Sequence, residues 1–134
     1  MLSDSEFLHE FESLCLPAEA FDHDGHLRLA WLYLSQFELQ EAIDKVTRGI
    51  PAYAGSLGAT EKYHHSLTVA LVLIIAARMA GNPTDSFTDF LEMNEDLVTD
   101  FRGVLLNHYR ESTLYSETAR ECWVEPDLAL IPSA

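Results

Sequence analysis

Cysteine is nearly missing from this chain of 134 residues: Cys15 and Cys122 are the two, far apart and outside any Cys-x-x-Cys pair. That excludes a disulfide framework and a zinc ribbon, and reduced thiols are expected. Basic residues are also scarce, with 8 Lys and Arg against 22 Asp and Glu and a formal net charge of -14. None occurs before Arg28, although Asp4, Glu6, Glu10, Glu12, Glu19, Asp22 and Asp24 do. Such a charge repels polyanions, so neither nucleic acid nor an anionic membrane surface is expected as a partner. The acidic amino terminus lacks the basic region of an export signal. Long hydrophobic runs are missing too. The most apolar one, Leu67 to Ala77, contains Thr68 and is closed by Arg78, well short of the ~20 residues that span a bilayer. A cytoplasmic protein is the expectation. Repeats, low-complexity segments and strand-like alternation do not occur.

Hydrophobic residues make up 48% of the chain. At this length roughly two thirds of the unfolded surface can be buried, so residues 1–134 are expected to form a single helical domain. The apolar period is helical almost throughout, and the expected class is all-α: a compact bundle of about five helices with an extended C-terminal tail. Phe7, Phe11 and Leu14 mark a first helix over Ser5 to Leu14, stopped before Pro17. Asp22 can cap a second, whose buried stripe is Leu27, Ala30, Trp31 and Leu34. Gly25 in its first turn costs up to ~1 kcal/mol relative to Ala, which a close backbone or ligand approach, or a frayed start, would explain.

A third helix starts near Leu39 and carries Ala42, Ile43 and Val46, with a kink or break expected near Ile50 because Pro51 follows. After the connection Gly55 to Ala59, Thr60 can cap a fourth helix, Glu61 to Ala80, ending at Gly81-Asn82-Pro83. This helix is apolar on nearly all sides and should be enclosed by the others. Thr84, Asp85 and Ser86 offer caps for a fifth helix carrying Phe87, Phe90, Leu91 and Leu97 on one face. A less regular stretch from Asp100 to Leu114 follows. Ser116 can cap a short helix through Trp123, and Pro126 and Pro132 hold an extended tail whose apolar residues should pack back on the bundle.

Three histidines carry the candidate chemistry. His23 and His26 lie one turn apart in the second helix, and His64 is expected one turn into the fourth. Short connections favour antiparallel neighbours, so the second and fourth helices should point the same way and bring the three imidazoles to one layer. Neutral imidazole binds zinc, copper, iron or nickel, and a helix amino terminus lowers histidine pKa and keeps the lone pair available. A transition-metal site of His23, His26 and His64 is therefore the first expectation, with Asp22, Asp24 or Glu61 accepting the second ring proton. His65 points about 100° away from His64, and His108 and Cys15 are further ligands only if the fold delivers them. Tyr63 and His65 are the candidate proton-handling residues, and Trp31 is expected in the core.

Two functions lead, beside a carrier or sensor that holds metal without turnover. One is a small metal-dependent enzyme acting on a small molecule, in which the ion activates water or oxygen. The other is a non-enzymatic helical module that binds a protein partner or copies of itself, with the histidines as caps or surface groups, since His-x-x-His alone is commonly helix decoration. Homo-oligomers fit either. Ligand type does not choose the metal, and no spacing reveals a substrate or decides whether the chain is an enzyme.

The segments Phe21 to Trp31, Lys62-Tyr63-His64 and Ala119-Arg120-Glu121-Cys122-Trp123-Val124-Glu125-Pro126-Asp127-Leu128 resemble the Phe-x-His-x-x-His-Leu-Arg-x-Ala-Trp, Lys-Tyr-His and Ala-Arg-x-x-Trp-Val-Glu-Pro-Asp-Leu segments of a group of small bacterial all-helical proteins. The resemblance spans most of the chain. It implies that His23, His26 and His64 belong to one functional unit and that Arg120, Glu125 and Asp127 anchor the tail. It implies no activity. Where that group often has Glu after Lys-Tyr-His, this chain has His65.

Overall fold

The structure, a computed structural model, describes residues 2–133. Among these residues are nine α-helices, two single 3-10 turns and no strand, so the class is all-α. The chain divides into two compact units, Met1–Tyr63 and His64–Ala134.

The first unit holds α1 (Asp4–Glu12), α2 (His23–Gln36) and α3 (Leu39–Ser56), with 3-10 turns at Ala18–Ala20 and Thr60–Lys62. A capping box starts α1: the Ser3 hydroxyl accepts the Glu6 amide and the Glu6 carboxylate accepts the Ser3 amide, which holds the Glu6 carboxyl below its usual range. Phe7, Leu8 and Phe11 form the buried face of α1, and Phe11 joins Phe21 and Tyr53 in an aromatic cluster with centroids 5.0 to 5.4 Å apart. The Tyr53 hydroxyl donates to the Leu16 carbonyl at 2.7 Å and ties α3 to the loop after α1.

Asp22 caps α2 as expected, its carboxylate accepting the Gly25 amide at 2.9 Å. The glycine itself is explained by a close backbone. A Cβ at position 25 would stand 2.6 Å from the Ala20 carbonyl oxygen. Leu27, Leu29, Ala30, Trp31, Leu32 and Tyr33 are buried, whereas Leu34 is half-buried, so α2 is enclosed on more sides than a single stripe implies.

The third helix does not break at Pro51 but continues to Ser56. Pro51 deprives the Thr47 carbonyl of its donor, and the Thr47 hydroxyl turns back to the Ile43 carbonyl at 2.8 Å. Back-bonding of this kind opens a helix slightly, which makes room for a proline ring.

The second unit contains α4 (His65–Gly81), α5 (Phe87–Met93), α6 (Glu95–Thr99), α7 (Phe101–Leu106), α8 (Glu111–Leu114) and α9 (Glu117–Glu121). The core of this unit is α4, buried at Ser66, Thr68 through Val72 and Ile74 through Ala76, and it packs against α9. It begins four residues later than expected because His64, not Thr60, is its cap. Thr60 opens a separate 3-10 turn.

The expected fifth helix is interrupted at buried Asn94. Its Nδ2 donates at 2.8 Å to the Phe90 carbonyl, the acceptor its own amide would use in a continuous helix, and that amide turns to Leu91. Arg78 donates to the Asn94 side-chain oxygen and forms a two-pronged pair with Asp96 at 3.0 and 2.8 Å. The stretch read as irregular forms α7 and α8, and α9 ends before Trp123. Among the described residues, no helix is long and apolar enough to cross a membrane.

The close approach at Gly25 sets opposite signs for two substitutions. Gly25→Ala should lower stability by about 1 to 2 kcal/mol, because overpacking against backbone outweighs the gain in helix propensity. Gly55→Ala, with no atom within 4 Å of the added methyl, should raise it by up to about 1 kcal/mol. Urea unfolding followed by helical circular dichroism measures both, and a stabilised Gly25→Ala would refute the account.

Candidate functional site

His23 and His26 occupy the first turn of α2 in the first unit, and they meet different surroundings. His23 is the first helical residue and is exposed. His26 is half-buried with its ring stacked on Phe21, centroids 4.0 Å apart, and its Nδ1 lies 2.7 Å from the Asp22 carbonyl oxygen. A carbonyl can only accept, so Nδ1 carries the proton and Nε2 keeps the lone pair. Burial pulls the His26 pKa down. The Asp22 carbonyl bond opposes this, neighbouring His23 adds to it, and the Asp22 carboxylate works against it. The result is a neutral imidazole in one fixed tautomer. The acceptor of its ring proton is the carbonyl of Asp22, while the Asp22 carboxylate is occupied in capping Gly25.

His64 opens the second unit with both ring nitrogens engaged. Its Nδ1 accepts the Leu67 amide at 3.1 Å, and its Nε2 lies 2.7 Å from the Leu114 carbonyl oxygen. The first bond needs a lone pair and the second needs a proton, so this ring is also neutral, in the opposite tautomer from His26. Its carbonyl accepts the Thr68 hydroxyl at 2.7 Å. His64 had been expected one turn inside the helix. It is the cap because the helix starts at His65, and the cap bond takes the lone pair a metal would need.

The other candidates have surroundings of their own. Tyr63 closes the first unit after its 3-10 turn, and His65 is the first residue of α4; both are half-buried. His108 donates from Nδ1 to the Ala129 carbonyl at 2.8 Å. Cys15 is exposed, its thiol 3.4 Å from the Ser13 carbonyl. Thus His23 and His26 share a helical turn and His64 belongs to the other unit. Among the described residues, no group of three His, Cys, Asp or Glu side chains is placed to hold one metal ion.

A cluster that the histidine pattern did not announce lies along the tail. Buried Ser66 donates to the Cys122 carbonyl at 2.6 Å and accepts the Val124 amide at 2.9 Å. The hydroxyl of fully buried Tyr109 donates to the Val124 carbonyl at 2.6 Å; burial first, then Asp127 and Glu125, pushes its pKa up to about 12. Asp127 accepts the Thr113 hydroxyl at 2.7 Å and the Arg110 amide at 2.9 Å, and those two bonds hold its carboxyl below the usual range. The Leu128 and Ala129 amides both reach the His108 carbonyl.

The tail is therefore fastened through its backbone, with Asp127 as anchor, while Arg120 and Glu125 are exposed. Its apolar side chains do not all pack back. Trp123, Leu128 and Leu130 are 37%, 50% and 76% exposed. The signal in the sequence was Ser66 itself, a polar residue leading an apolar helix, since a buried hydroxyl must find partners.

The chain matches no protein-family model, no curated protein and no solved structure.

Two stability measurements probe the histidines. His64→Ala removes a cap and leaves the Leu114 carbonyl without its donor, so it should cost about 1 to 3 kcal/mol, against ±0.5 kcal/mol for exposed His23→Ala. Equal effects in urea unfolding would remove the structural role. For His26, folding lowers the pKa, so the unfolded chain binds more protons on the acid side. Its contribution is complete above the ordinary value of 6.5 and declines as pH falls through it toward the depressed value. Wild type should lose stability relative to His26→Gln between pH 7.5 and 5.5, and parallel profiles would contradict the assignment.

Proposed function

We propose that this chain is a non-enzymatic helical interaction module whose fastened tail docks a protein partner bearing cationic groups around an apolar centre. The observation that carries this reading is the tail: hydrogen bonds hold its backbone while Trp123, Leu128 and Leu130 face solvent. Ordering such a segment without burying its side chains lacks the usual hydrophobic return, which a partner would supply. Charge selects the partner. Glu121 and Glu125 are exposed on the same run and the formal net charge is -14, so a second copy is repelled and a basic surface attracted. The two bonds at the His64 ring support the same reading, in which the histidines serve the fold.

A second reading is favoured by one observation at His26. Its Nδ1 is held by a carbonyl, its Nε2 lone pair is retained, and His23 lies on the same turn, the orientation by which a hydrogen bond at one ring nitrogen prepares the other for zinc, copper, iron or nickel. In that reading the metal could serve a small-molecule reaction, with Tyr63 or His65 moving protons. His64 joins the ion only by releasing Leu67.

The test is binding of a labelled Lys/Leu amphipathic helical peptide to the untagged protein, with metal content measured on the same preparation. Leu128→Ser combined with Leu130→Ser, which leaves charge unchanged, should weaken binding by about tenfold or more, as for side chains central to an interface. Affinity unchanged by the pair would end the interaction reading. Stoichiometric transition metal lost in His26→Gln would favour the second.

A further inference from the structure

The first unit contains a cleft of about 350 Å³, and we infer that it binds a small apolar monocarboxylate. It is built where the end of α1 meets one face of α3. Lys45, Arg48, Gly49 and Ala52 lie at helical spacing on that face of α3, and Phe11 and Leu14 supply apolar wall from the other side. Gly49 permits the close approach, since a Cβ there would stand 2.8 Å from the Phe11 ring.

Two of the chain's 8 Lys and Arg residues lie in this one cleft. Neither forms an ion pair with a carboxylate among the described residues; the pairs present there join Arg28 to Asp4, Arg78 to Asp96 and Arg102 to Glu111. The acceptors in the lining and at the end of α1 each already hold a donor. The one carboxylate in the lining, Glu12, accepts the Tyr33 hydroxyl at 2.7 Å. At the end of α1, the His9 carbonyl accepts the Ser13 amide and hydroxyl, the Glu10 carbonyl accepts the Cys15 and Leu16 amides, and the Phe11 carbonyl accepts the Leu14 amide. Lys45 sits over the rings of Phe37 and Tyr33, 4.6 and 5.9 Å from their centroids, which places a cation against aromatic faces. Arg48 is exposed at the rim. Two cations and one carboxylate leave the lining with a single positive charge in an acidic chain. That matches a ligand of one negative charge, and the apolar wall asks for a hydrocarbon body.

Leu14 points the same way. Its φ is +62°, in the left-handed region where a helix ordinarily ends on Gly or Asn, and its side chain is 46% exposed in the cleft wall. A branched apolar residue is kept in a strained conformation without the reward of burial, as happens where a side chain serves a ligand.

The experiment titrates the whole chain with octanoate, phenylacetate and octylammonium, following the backbone amide resonances of Gly49 and Ala52. Octanoate or phenylacetate should shift these two signals with saturation, and octylammonium should not. Arg48→Gln should weaken carboxylate binding by about tenfold, the loss of one charge-assisted contact. Leu14→Gly should preserve or raise thermal stability yet weaken binding severalfold, an outcome that loss of fold cannot mimic. The inference is overturned if neither carboxylate moves the two amides, if octylammonium binds equally well, or if Arg48→Gln leaves affinity unchanged.

Discussion

Around the amino-terminal turn of α4, polar groups are shut away from water, and each one must be bonded within the second unit. Ser66 and Thr68 are buried at the head of an otherwise apolar helix. A buried hydroxyl or amide without a partner costs about 1 to 3 kcal/mol, comparable to a sizeable part of a domain's net stability. The His64 ring, the His64 carbonyl, the Leu114 carbonyl and the backbone at Cys122 and Val124 supply those partners. The position of the segment around Leu114, Cys122 and Val124 follows from that demand as much as from any apolar surface of its own.

The same constraint gives two histidines opposite states. At the start of α2, a carbonyl fixes the His26 proton on Nδ1 and leaves the outer nitrogen as a base. At the start of α4, an amide takes the Nδ1 lone pair of His64 and a carbonyl takes the proton on Nε2. Both rings stand at helix starts and both are neutral, yet one retains a lone pair for a ligand and the other has none left. The residue type is the same at the two places. The partner of each nitrogen makes the difference.

Charge works on a coarser scale. With so many more acids than bases, each cation on the surface is a local exception, and its neighbours determine what it can do. Arg78 is bound by Asp96 and Asn94 and braces the interrupted helix pair α5 and α6. Lys45 and Arg48 line a cleft whose one lining carboxylate, Glu12, accepts the Tyr33 hydroxyl. The exposed carboxylates beside Trp123 and Leu128 give the tail an acidic rim around apolar side chains, the inverse of the cleft.

Much of the fold was legible because hydrophobic period, caps and breakers act over one or two turns. Asp22 and Ser116 cap where they were expected to, and α4 is enclosed on nearly every side. Local signals failed where a distant or competing partner intervened. The side chain of Asn94 displaced its own amide from Phe90 and ended a helix, Thr47 eased a proline through α3, and His64 displaced Thr60 as cap because Leu114 was there to hold its ring. The candidate site was less legible still. The sequence by itself determined an acidic, all-helical chain with imidazoles at helix starts. Only the tertiary structure decided which ring nitrogens keep a lone pair, because that depends on carbonyls brought from as far as 50 positions along the chain, and hydrogen bonds of such reach leave no periodic trace in the order of residues.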